Sequence, residues 1–215
     1  RDTDRSRGLG DVYKRQIHVP AGQRAEVILA DGTHVWLNSR STLKFSEQFS
    51  ANTRNVELDG EGYFSVQHNE KSPFTVQTPK YTIQVLGTEF NVKAYHNSPL
   101  FETALIKGSV EITSPELSQS LRLKPDEIAV ANNGRLETSH ISDYNYFKWK
   151  EGLFCFENES IQDLIDKLQL YYDIQIDVQR PSLLQYRYSG KFRIKDGVEH
   201  VLKVLQLKHK FTYTK

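Results

Sequence analysis

The sequence predicts a mainly β chain joined to a small α/β unit: an N-terminal all-β roll or sandwich, then a duplicated β-α-β-β-α-β domain. Three observations carry that expectation. Apolar residues alternate with period two, between turn dipeptides, from Ile17 to about Ile141. After about Asp143 the period lengthens to that of an amphipathic helix. The last part then repeats itself: Gly152-x-Phe154 matches Gly190-x-Phe192 at an offset of 38 residues, and Ile161, Leu164, Ile165 and Leu168 match Val198, Val201, Leu202 and Leu205 at 37.

In chain order, Val27 and Leu29 alternate with polar or small neighbours, Asp31-Gly32 turns the chain, and Val35 and Leu37 follow. The unit recurs at Val56, Leu58, Asp59-Gly60 and Tyr63 to Val66. Asp-Gly between alternating runs predicts a hairpin, because both central turn residues must accept positive φ. Further short runs are Phe74 to Val76, Tyr81 to Leu86, Phe90 to Tyr95, Thr103 to Ile106, Val110 to Ile112, Leu121 to Leu123 and Ile128 to Val130, with a turn at Asn132-Asn133-Gly134. Closely spaced short strands of this kind predict a sandwich, roll or short solenoid.

Ile161, Leu164, Ile165, Leu168, Tyr171 and Tyr172 share one helix face, and Val198, Val201, Leu202 and Leu205 share another. Asp196 with Glu199 three residues on looks like a capping box for the second helix. Strands are expected at Leu153 to Phe156, Ile174 to Val178, Tyr188 to Ile194 and Lys210 to Tyr213. The expected divisions are a non-native leader at 1–16, the β-domain at 17–142, an aromatic junction at 143–150 and the α/β domain at 151–215. In the junction Tyr144, Tyr146, Phe147 and Trp149 are expected to wedge the domains together.

With 38% apolar and 26% charged residues among 215, the chain is globular rather than disordered. No apolar run reaches the roughly 18 residues of a membrane span. The chain has no methionine and is read as a fragment. The leader, whose Asp11 to Gln16 resembles translated sequencing adaptor, holds five basic and three acidic residues; without it 23 Lys+Arg face 24 Asp+Glu, a net of −1. That balance gives no reason to expect a nucleic-acid partner.

Catalytic signals are sparse. One cysteine, Cys155, excludes a disulfide framework and falls mid-strand as a small hydrophobe. The seven histidines lack metal-site spacing, and no phosphate loop or nucleophile elbow occurs, so neither metal nor cofactor is expected and the chain is read as no enzyme. Glu61, between Gly60 and Gly62, is expected to be a solvated or turn-bonding carboxylate, with a general acid as the sharper alternative. Gly87-Thr88, between two strand-forming runs, reads either as a bend or as a single-turnover self-cleavage site. In the second reading the Thr88 hydroxyl attacks the Gly87 carbonyl, with Gly87 in a backbone conformation costly for other residues.

Val19-Pro20-Ala21-Gly22, Asp31 to Asn38, Gly60-Glu61-Gly62-Tyr63-Phe64, Pro73 to Val76, Val85 to Val92 and Trp149-x-x-Gly152 stand in the order seen in FecR-type anti-sigma regulators, and the chain resembles the Bacteroidetes form of that family from about residue 17 to 215. The resemblance implies the periplasmic part of a single-span inner-membrane protein. It implies two partners: the signalling domain of an outer-membrane TonB-dependent transducer, and an extracytoplasmic-function sigma factor held by a cytoplasmic domain. By the same resemblance the chain is expected to be the periplasmic part only, with the sigma-binding domain and the membrane anchor absent from it. The C-terminal part is similar to the secretin/TonB short N-terminal domain, which agrees with the duplication above. Some members of the family cleave themselves at the Gly-Thr of this motif.

Lys124-Pro125-Asp126-Glu127-Ile128 stands where the family usually has Pro-Gly-Glu-Gln. The chain also stops at Lys215, where the family continues into one more strand, so the domain reads as C-terminally truncated. Lys210, Phe211, Thr212 and Tyr213 are therefore expected to present an unpaired edge to a partner by strand addition. A carbohydrate-binding β-domain is the alternative, resting on Trp36, Tyr63, Tyr81 and Tyr95; it requires an exposed planar platform.

Overall fold

The computed structural model describes residues 14–114, 120–132 and 135–214. Thirteen strands precede the junction: β1 (Lys14–His18), β2 (Ala25–Ile28), β3 (His34–Leu37), β4 (Thr42–Ser46), β5 (Arg54–Ser65), β6 (Phe74–Gln77), β7 (Thr82–Val85), β8 (Glu89–Ala94), β9 (Phe101–Lys107), β10 (Val110–Thr113), β11 (Leu121–Leu123), β12 (Glu127–Asn132) and β13 (Arg135–His140). A 3-10 helix, Tyr144–Glu151, leads to β14 (Leu153–Ser160), α1 (Ile161–Tyr172), β15 (Arg187–Arg193) and α2 (Val198–Gln206).

β5 organises the roll. Its first half lies between β4 and β6, and its second half between β3 and β8. One flank continues from β4 to β1 and from β6 through β7 and β10 to β11; the other continues from β3 to β2 and from β8 through β9 and β12 to β13. The β5–β6 pair is parallel. Apolar side chains from both flanks meet in one core, with Phe64 of β5 stacked on Phe90 of β8 and tilted against Phe74 of β6.

Asp59-Gly60 is therefore not a hairpin turn. It lies inside a continuous strand, where Gly60 at φ +125° bends the chain from one flank to the other. A Cβ there would sit 2.6 Å from the Ser41 Cα, so only glycine allows the crossing. Asp31-Gly32 does turn the chain between β2 and β3. Asn132 pairs with Arg135 across the β12–β13 hairpin, and the expected turn residues 133 and 134 lie outside the described residues. The Lys124–Glu127 turn closes with Asp126 at φ +71°, a left-handed conformation more often taken by glycine.

β1 begins at Lys14, so it takes in three residues of the segment read as a leader. Backbone pairing with β4 asks little of side-chain identity. Residues 1–13 lie outside the described residues.

The mainly β plus small α/β fold stands as expected, with local differences in its second part. β14 and β15 pair antiparallel, and α1 and α2 supply Leu164, Leu168, Val201 and Leu205 to the core beside them. Ser160 caps α1, its Oγ accepting from the Asp163 amide at 3.1 Å. The capping box expected at Asp196 does not form: Asp196 closes a 3-10 turn, and Gly197 takes the N-cap position without a side-chain bond. Residues 174–178 and 210–213 make no ladder. Helix side chains hold them instead, Gln169 Oε1 accepting from the Ile176 amide and Gln206 Nε2 donating to the Phe211 carbonyl.

Candidate functional site

Gly87-Thr88 lies at a bend between β7 and β8. The chain after β5 runs hard against it: the Val66 amide donates to the Thr88 carbonyl at 3.0 Å and the Asn69 amide to the Leu86 carbonyl at 2.8 Å. A Cβ on Gly87 would stand 2.5 Å from the His68 Cα. Gly87 is not among the positive-φ glycines. It is required by close approach of a neighbouring backbone, not by the costly conformation that the sequence led us to expect.

Thr88 is buried, and its Oγ1 donates to the Ser109 carbonyl at 3.0 Å. Gly108, at φ +99°, closes the other side; its Cβ would lie 2.8 Å from Thr88 Oγ1. Arg54 fixes the surroundings from inside the roll. Its guanidinium donates to Asp31, to the Gln67 and Ser72 carbonyls at 2.8 Å, and to the Leu86 carbonyl at 3.2 Å. Nucleophilic attack needs a base on the hydroxyl and donors on the developing oxyanion. Among the described residues, Thr88 Oγ1 meets a carbonyl instead of a base, and the Gly87 carbonyl accepts no hydrogen bond.

A second polar site lies at the junction. Glu61 is 2% exposed, so it is not the solvated carboxylate expected from its neighbouring glycines. Asn38 Nδ2 donates to its Oε2 at 2.8 Å and Asn91 Nδ2 to its Oε1 at 3.1 Å. The Tyr146 hydroxyl, from the 3-10 helix, stands 3.4 Å from Glu61 Oε1 and 3.3 Å from Glu102 Oε2. Burial, then the charges of Glu61 and Glu102, holds the Tyr146 phenol far above its ordinary pKa. Burial and Glu61 do the same to Tyr171 of α1.

Of the four junction aromatics, Phe147, Trp149 and the partly buried Tyr146 pack between the two parts, while Tyr144 is exposed and takes no place in the core they share. Phe147 and Trp149 are buried in a core that takes Tyr63 and Ala104 from the roll and Phe154 and Leu164 from the C-terminal part. Lys150 Nζ sits 3.8 Å from the Tyr63 ring centre and 3.9 Å from Glu89. Arg40 pairs with Asp173 at the end of α1 at 2.8 Å. A cleft of roughly 1110 Å³ opens beside this seam, with Arg40, Lys93, Glu102, Tyr146 and Cys155 in its walls. Burial pushes the Cys155 thiol up, and nearby Lys191 and Lys148 offset that only in part.

The four aromatics of the carbohydrate reading make no platform. Tyr63 and Tyr81 are buried, Trp36 lies beneath Lys150, and Tyr95 turns its hydroxyl to the Ser39 carbonyl. Lys210, Phe211, Thr212 and Tyr213 form no strand. Among the described residues, the open edges of the small sheet belong to β14 and β15, each of which has the other as its one ladder partner. Arg54, Gly108 and Asn91 were missed as site residues from the sequence; Arg54 and Gly108 matter through the loops around Gly87-Thr88, and Asn91 through Glu61 on the neighbouring strand.

The comparisons agree with this layout. Residues 15–111 match the family described as FecR protein, and residues 153–215 match FecR, C-terminal. Two crystal structures of a candidate anti-sigma factor from Parabacteroides distasonis ATCC 8503 superpose with a TM-score of 0.79 at 30% identity, each covering 94% of this chain, and 95% and 94% of their own. Among curated proteins none matches. A relative this similar along nearly the whole chain, with both halves recognised in order, shows that the chain belongs to the FecR family of anti-sigma regulators.

Proposed function

We propose that this chain is the signal-receiving, periplasmic part of a membrane-anchored anti-sigma regulator. It relays a signal from the signalling domain of an outer-membrane TonB-dependent transducer to an extracytoplasmic-function sigma factor, which a cytoplasmic domain outside this chain would hold. Among the described residues no helix is long and apolar enough to cross a membrane.

The observation that carries the reading is the small sheet β14–β15, which keeps unpaired edges within a FecR-family C-terminal region. An unpaired edge accepts an added strand through its free N–H and C=O groups. On β15 the exposed Arg187, Lys191 and Arg193 favour an acidic partner strand, and Lys210 to Tyr213 would add side-chain contacts beside it. NMR mapping of a transducer signalling domain onto this chain is the test. Perturbations on β15 and residues 210–213 are expected, and contacts confined to the β-roll would reject the placement.

A further inference from the structure

We propose that the junction is a two-position latch, in which Tyr146 holds the halves closed by lending one hydroxyl proton to two mutually repelling carboxylates. The three groups come from separate elements: Glu61 from β5, Glu102 from β9 and Tyr146 from the 3-10 helix. Glu61 and Glu102 share one ladder row of the roll, and docking of the junction adds Tyr146 to them.

Glu61 is nearly fully buried, and among the described residues it makes hydrogen bonds but no ion pair. Lys93 stands between the two carboxylates, opposite Glu61 in the β5–β8 ladder and Glu102 in the β8–β9 ladder, yet among the described residues makes no ion pair with either, and Lys167, which lies over the Tyr146 ring, is taken by Glu159. A phenol has one proton to donate. The two contacts, at 3.4 and 3.3 Å, are both longer than the roughly 2.7–2.8 Å of an ordinary O–H···O bond, as for a donor stretched between two acceptors. The carboxylate that does not accept the phenol hydrogen faces a phenol lone pair and the other carboxylate, Glu61 from a buried position and Glu102 from the half-buried wall of the cleft.

The closed position is held by the apolar burial of Phe147 and Trp149 and opposed by this carboxylate pair. Swinging the junction away hydrates both carboxylates. Near-balance of this kind is what a switching element needs, since a small external bias then moves it. The seam joins the C-terminal part to the roll, so a partner bound on the former could open it without touching Glu61.

Cys155, in the wall of the adjoining cleft, supplies the readout. Its alkylation rate by iodoacetamide in the full chain reports opening. A parallel pH–rate profile gives the thiol pKa in each variant and so separates access from reactivity. Tyr146→Phe leaves the carboxylates facing each other without a donor and is expected to speed alkylation about tenfold, as for a lost hydrogen bond to a charged group. Glu102→Gln removes the repulsion and is expected to slow alkylation about threefold. A simple structural acceptor role for Glu102 predicts the opposite sign. Slower alkylation in Glu102→Gln supports the latch; an unchanged or faster rate overturns it, even if Tyr146→Phe fails to fold. A folded Tyr146→Phe that alkylates at the wild-type rate also overturns it.

Discussion

At the scale of single residues, the Gly-Thr bend shows how much of a site is set by groups distant in sequence. Arg54 is 3% exposed and joins four segments of the roll through one guanidinium. We predict that Arg54→Met costs about 3–5 kcal/mol in urea denaturation, because Asp31 loses its cation and three carbonyls lose a donor. Gly87→Ala is predicted to be destabilising although Gly87 has no positive φ, since the added methyl meets the His68 backbone. With Thr88 Oγ1 committed to a carbonyl, mass spectrometry of the purified protein is expected to show an intact chain after long incubation. Two fragments meeting at the Gly87–Thr88 bond would instead establish self-cleavage. The need for glycine at 87 was legible in the sequence, but its cause was not, because the clashing atom belongs to a loop nineteen residues earlier.

At the scale of elements, periodicity located both helices but did not grade their faces. Leu164 of α1 is 1% exposed, while Leu202 of α2, the repeat counterpart of Ile165, is only partly buried and stands outside the core. We predict that Leu164→Ala costs about 2–5 kcal/mol and Leu202→Ala less than about 1.5, both by urea denaturation; equal costs would remove the distinction. The difference follows from the segment after α2, which hydrogen-bonds to a helix glutamine and builds no strand over Leu202. Sequence alternation at 174–178 and 210–213 was real, but alternation reports which side chains face inward and not whether a backbone finds a ladder partner. Asp59-Gly60 misled for a related reason: a tight turn and a bent strand both need a residue without Cβ.

At the scale of the whole molecule, the two sequence parts share a core at Tyr63, Phe147, Trp149 and Phe154. We predict one unfolding transition, coincident by far-ultraviolet circular dichroism and tryptophan fluorescence; two separated transitions would show that the halves fold apart. Tyr63, Tyr95, Tyr146 and Tyr171 all have phenol pKa values raised, chiefly by burial. Above about pH 10 the unfolded chain therefore releases protons that the folded chain keeps, so stability falls as pH rises and is full below that value. Spectrophotometric titration should show these phenols ionising only with unfolding. The seam itself was half legible: the aromatics of 143–150 announced a wedge, whereas the buried glutamate beneath them did not, because its amide partners come from just after β3 and from β8. The bent central strand has a kinetic consequence. β3, β4, β6 and β8, which flank β5, all lie between residues 34 and 94. Both faces of the crossing can thus assemble from one interior stretch, with the outer strands and helices adding later to a finished template. In stopped-flow experiments Val56→Ala on β5 is expected mainly to slow refolding, while Val201→Ala on α2 is expected mainly to speed unfolding.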